Sequence, residues 1–167
     1  MVTMDQVLYI LPVLAMTLSL IYYGMNLRNA DRTRKIQLYW QVLGNIGTRE
    51  FFTHYIGIIY DQEYDTYEEW VEKYGPRTNR EAYISYYYVT RIYQNLGVLV
   101  RDKILPLETL AEQIRPRAIL TMWEKIQPVV LHHREHTNPK AFDALEFLYF
   151  EMKALLAERV AEENANK

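Results

Sequence analysis

The chain has 167 residues, about half of them hydrophobic, with 15 tyrosines, no cysteine and a formal net charge of −2. Lack of cysteine excludes disulfides, thiolate metal sites and cysteine nucleophiles. A pI near 6.1 gives none of the basic field that draws a protein to nucleic acid.

In chain order, the first feature is an uncharged stretch of 22 residues from Gln6 to Leu27. As a helix rising about 1.5 Å per residue it would cover roughly 30 Å, the thickness of a bilayer's hydrocarbon core. Ahead of it there is no Lys or Arg, only Asp5, and no small-x-small cleavage site comes after it, so it reads as an anchor rather than a removed signal peptide. Arg28, Arg32, Arg34 and Lys35 come next. Basic residues beside a span stay on the cytoplasmic side, which predicts a single-pass protein with its amino terminus outside and its body cytoplasmic. Tyr9, Tyr22 and Tyr23 fit an interfacial belt, Pro12 predicts a kink, and Ala15 with Ser19 forms a small-xxx-small pair that can admit another helix or simply face lipid.

Past the span, Ile36, Tyr39, Trp40 and Leu43 recur at helical spacing, so the anchor helix is predicted to continue to about Gly44. Thr48 caps a second segment bearing Phe51, Phe52, Tyr55, Ile56 and Ile59, and Asp65 or Thr66 opens a third that ends at Gly75-Pro76. Asn79 starts the longest apolar helix, with Tyr83, Tyr87, Val89, Ile92, Tyr93, Leu96, Leu99, Val100 and Ile104, expected to be central and to stop at Pro106. A short helix from Leu107 to about Ile114 precedes one from Pro116 to about His136, with Pro128 expected to bend or divide it. Asn138 and Pro139 are the predicted cap and first turn of a terminal helix to about Glu162, with Phe142, Leu145, Leu148, Tyr149, Met152, Leu155 and Leu156 along its stripe.

No segment alternates as a strand would. The predicted architecture is therefore all-α: one N-terminal transmembrane helix continuing, without a flexible linker, into a compact multi-helix bundle. Its divisions are an anchor over 1–28, a soluble helical domain over 29–163 and a frayed tail over 164–167.

Trp70-Val71-Glu72-Lys73-Tyr74-Gly75-Pro76, Gly97-Val98-Leu99-Val100, Trp123-Glu124-Lys125 with Pro128 and Arg134, and Phe147-Leu148-Tyr149 before Met152-Lys153 form a set of aromatic and turn positions. In these the chain resembles a prokaryotic domain-of-unknown-function family of single-span proteins with a cytosolic helical domain. That resemblance implies the architecture and imports no activity. Read as residues alone, Trp70 closes a helix end over the core. Gly97 costs its helix about 1 kcal/mol relative to Ala, which close approach of a neighbouring helix would explain. Trp123 reads as a core ring beside two solvated charges.

Candidate chemistry is sparse. His132 and His136 are four apart and His133 and His136 three apart, so either pair on one helix can address a metal ion such as zinc or copper, with Glu124, His54 or an acidic residue of another chain as a distant third ligand. The placement of Glu135 does not make the zincin motif, and the simpler reading is a solvated helix end whose imidazoles complement the dipole. Asp61, Glu63, Asp65, Glu68, Glu69 and Glu72 form an acidic loop and helix start without calcium-loop spacing. No phosphate-cradling loop, nucleophile elbow or dinucleotide fingerprint occurs. No catalytic, cofactor or metal residue is assigned, and no cofactor is expected. The leading expectation is a non-enzymatic, membrane-anchored accessory or scaffold protein that binds other proteins, within a larger membrane complex. The alternative is a membrane-tethered enzyme or metal-binding protein using the His132 to His136 segment.

Overall fold

The computed structural model describes the backbone over residues 4–165 and side chains over 12–165. Seven α-helices and one π-helical turn make up its regular structure, with no strand among the described residues. They are α1 (Met4–Ile46), α2 (Arg49–Ile56) followed by the π turn (Gly57–Asp61), α3 (Tyr67–Tyr74), α4 (Arg80–Arg101), α5 (Leu107–Gln113), α6 (Pro116–His136) and α7 (Asp143–Ala165). The chain divides into two compact units, one ending at Trp40 and the other beginning at Gln41.

In the first unit α1 exposes its apolar residues: Val13, Leu14, Met16, Leu18, Leu20, Ile21, Tyr22, Tyr23, Met25 and Leu27 are all more than half exposed. No helix among the described residues is long and apolar enough to cross a membrane. That finding overturns the expected single-pass location, with the amino terminus outside and the body cytoplasmic. Polarity of the chain from Pro12 onward contributes to it. From Pro12 onward the uncharged run extends to Leu27. It is diluted by Thr17, Ser19 and Asn26, and α1 then runs on through Arg28, Asp31, Arg32, Arg34 and Lys35. The Thr17 and Ser19 hydroxyls donate to the Val13 and Ala15 carbonyls, and Lys35 pairs with Asp31 at 2.8 Å. The earlier part of the expected span, including Tyr9, lies outside the residues whose side chains are described.

The second unit is a helical bundle centred on α4, as its broad apolar face predicts. Tyr86, Val89, Tyr93 and Leu96 are buried on α4, Ile119, Met122, Trp123, Ile126 and Val130 on α6, and Leu145, Leu148 and Met152 on α7. The principal layers are α4 against α7 and α6 against α7, with α2 and α3 laid on α4. Gly97 permits the closest approach: a Cβ there would run into the Ala144 carbonyl at the start of α7. Local signals act as their chemistry requires. Thr48, Thr66 and Asn79 accept hydrogen bonds from the Phe51, Glu69 and Ala82 amides, the N-cap geometry.

Three local expectations need correction. Helix α4 ends at Arg101 rather than Pro106, because Lys103 adopts a left-handed conformation (φ 56°) and the Ile104 and Leu105 amides turn back to the Leu99 carbonyl. Pro128, expected to bend or divide α6, does not divide it: the helix is continuous to His136. Helix α7 begins at Asp143, not at Asn138-Pro139: the Asn138 side chain accepts from the Lys140 amide and Phe142 takes a φ of 54°, so the chain turns before the helix starts. The tail expected at 164–167 falls at the end of α7 and in part beyond the described residues.

Candidate functional site

The richest concentration of polar and aromatic groups lies where the end of α6 meets α3 and the middle of α4. Tyr67 of α3 lies flat on His132 of α6, ring centroids 3.5 Å apart and planes 8° apart. His136 stacks on His132 at 4.1 Å and 18°. Three rings thus stack with His132 in the middle, and their spacing follows from placing two imidazoles four residues apart on one helix.

Stacking decides what these histidines can do. An imidazole binds a metal through a lone pair in its ring plane at about 2.0–2.1 Å. Two nearly parallel stacked rings keep those lone pairs in separate, nearly parallel planes, so one ion cannot lie in both. His136 Nδ1 is also engaged, 3.0 Å from the His132 carbonyl. Among the described residues no group of three or more His, Asp or Glu is placed to hold a metal ion. The distant ligands considered from sequence have other partners. Glu124 accepts from the Tyr149 hydroxyl, and His54 Nδ1 is 2.8 Å from Ser85 Oγ beside the ring of Tyr88. The Ser85 hydroxyl also donates to the Glu81 carbonyl, and a proton committed there leaves His54 as the donor to Ser85 Oγ. In the acidic segment, Glu69 accepts from the Asp65 amide, a helix-start contact.

His133 faces differently. Its Nε2 is buried without a hydrogen-bond partner among the described residues, and burial, reinforced by His132, holds its pKa below the ordinary histidine value. It stands in the wall between two clefts. One, about 520 Å³, runs between α4 and the α6–α7 turn and includes Tyr87, Arg91, Asn95, Asn138 and Lys140. The other, about 480 Å³, is bordered by Tyr67, Trp70, Tyr83 and Glu72. A third hollow of about 490 Å³ shares Tyr83, Tyr87 and Arg91 with these. Tyr86 is buried with no hydrogen-bond partner for its hydroxyl among the described residues, its ring centre 4.8 Å from that of Trp70, and burial raises its pKa well above the ordinary phenol value. Trp70 donates to Gln62, which is itself buried.

Several contributors carry little or no signal in the sequence. Gln62 is an unremarkable polar loop position. Tyr83 and Tyr87 are legible as an apolar stripe, yet they line the clefts with Arg91, a residue that an amphipathic pattern assigns to the solvated face. Lys125, which reads as a solvated charge, lies 4.9 Å from the Tyr64 ring centre, and the Tyr64 hydroxyl donates to its carbonyl. Arg134, in sequence only a motif position, ties the α6–α7 turn together by donating to the Ala141 carbonyl at 2.8 Å and to Glu146 at 2.6 Å.

No curated protein and no solved structure matches the chain. A family model does, over residues 11–151. This span takes in every motif on which the resemblance rests apart from Met152-Lys153, and the chain belongs to the family described as Domain of unknown function (DUF4760).

Proposed function

We propose that the protein is a binding and scaffolding module rather than a catalyst, and that α1 carries its main docking segment for the apolar helices of another protein. The observation behind this reading is the exposure of α1. Leu18 is 65% exposed, Leu20 72%, Ile21 55% and Tyr22 68%, at successive positions around the helix rather than along one stripe. A single neighbouring helix covers only one stripe, so apolar exposure around the whole girth calls for a partner with more than one packing element. Large apolar groups of this kind gain roughly 1.5–3 kcal/mol each when fully buried, enough for a few of them to sustain a stable complex. The non-catalytic part of the reading is supported by the His54-Ser85 polarity and by the stacked imidazoles, which also weigh against the metal-binding alternative.

Co-purification of the full chain from its native cells tests this. Leu18→Asp with Ile21→Asp should release the associated protein while the unfolding temperature of the second unit stays within about a degree or two of the parent. Retention of the same partner by the doubly substituted chain would refute the reading.

A further inference from the structure

The cleft between α4 and the α6–α7 turn has a charge pattern that packing does not explain. Two full cations line it, Arg91 from the middle of α4 and Lys140 from the turn, and no carboxylate is among its lining residues. Neither side chain makes an ion pair or hydrogen bond among the described residues. Their behaviour contrasts with that of neighbouring cations. Arg101, on the same helix as Arg91, is held by Asp143 at 3.0 Å, and Arg134, beside the same turn, is held by Glu146 at 2.6 Å. Carboxylates that could have neutralised the cleft are thus committed elsewhere: Asp143 also accepts from Gln94, a lining residue, and so points its charge to the α4–α7 joint.

Around the two cations stand neutral hydrogen-bonding groups, the amides of Asn95 and Asn138 and the hydroxyls of Tyr87 and Thr137, with Val98 and Phe142 as apolar wall. A volume of about 520 Å³ accommodates a small organic molecule. An unpaired guanidinium with a planar fork of donors, a flexible ammonium lining the same cleft and neutral donors beside them are the complement of an oxyanion.

We propose that this cleft binds a small oxyanionic ligand, a carboxylate or phosphate, gripped by Arg91 and Lys140 with Asn95 and Asn138 at its edges. The inference is independent of the α1 reading and draws on different residues. His133, whose pKa burial holds below the ordinary histidine value, forms part of the wall, and the two full cations of the site are Arg91 and Lys140.

The test uses the full chain at fixed ionic strength, titrated separately with inorganic phosphate and with benzoate, and followed by the NMR signals of the Arg91 side chain and the Asn95 and Lys140 amides. Saturable shifts with at least one probe are expected, and the responding probe identifies phosphate or carboxylate as the favoured chemistry. Arg91→Gln and Lys140→Gln should each weaken that binding about tenfold or more, the size of a lost charge-assisted hydrogen bond. Arg117→Gln, an exposed cation elsewhere on α6, should leave it unchanged. All three positions are at the surface, so equal unfolding temperatures will show that the fold is retained. Absence of saturation with both probes, or equal weakening by Arg117→Gln, overturns the proposal.

Discussion

At the scale of single residues, Gly97 and Asp143 show how much of the α4–α7 joint rests on two side-chain choices. In an isolated helix Ala in place of Gly97 would gain about 1 kcal/mol. Here the added methyl meets the Ala144 carbonyl, a rigid backbone group, so Gly97→Ala should destabilise the fold by about 2–3 kcal/mol. Urea unfolding of the full chain would show this as a lower midpoint at unchanged slope. Asp143 is pushed up by burial, but hydrogen bonds from Gln94, Arg101 and the Ala144 amide, with the Arg101 charge, outweigh that and leave its carboxyl below its ordinary value of 3.8. A lowered folded-state pKa means that the stabilisation is complete above the unfolded value and is lost as pH falls through the folded one. Asp143→Asn should therefore unfold slightly more easily than the parent at pH 7, by at most about 1 kcal/mol for so exposed a pair. The gap should close below about pH 4 in acid titrations of stability. Gly97 is legible in sequence as a close-approach glycine. The Asp143 network is not, because it joins residues 49 and 42 positions apart in the chain.

Among the elements, helix starts are easier to read than helix ends, and the physics explains why. A start is marked by a side chain that accepts its own helix's amide, so Thr48, Thr66 and Asn79 declare themselves locally. The end of α4 depends on a lysine in a conformation that lysine disfavours, and the start of α7 on Phe142 in the same region. Neither residue type announces such a turn. At Lys103 the cost is open to relief. The residue is exposed, so Lys103→Gly should stabilise the protein by about 1 kcal/mol, the usual penalty for a non-glycine residue in that region. Thermal unfolding of the variant checks this, and a lower midpoint would show that Lys103 has an unrecognised role. The π turn at Gly57–Asp61 is likewise hidden, since the apolar spacing of Ile56 and Ile59 suits a continuous α-helix. The clefts are the least legible feature. The one between α4 and the α6–α7 turn is lined by Arg91, His133 and Lys140 from separate segments, whose meeting depends on the packing of α4, α6 and the turn.

For the whole molecule, the all-α class and the central place of α4 follow from apolar periodicity, and the family match places the chain in an uncharacterised family. The uncharged stretch is the strongest sequence signal, yet among the described residues it does not amount to a membrane span. What persists is a helix whose Leu18, Ile21 and neighbours are exposed and which calls for apolar cover. Site-specific photo-crosslinking in native cells is the most direct test of that claim. A photoreactive residue at Leu18 or at Ile21 should give discrete protein adducts, while the same residue at Arg117 should give none. Absence of protein adducts from both α1 positions would contradict a docking role for this helix.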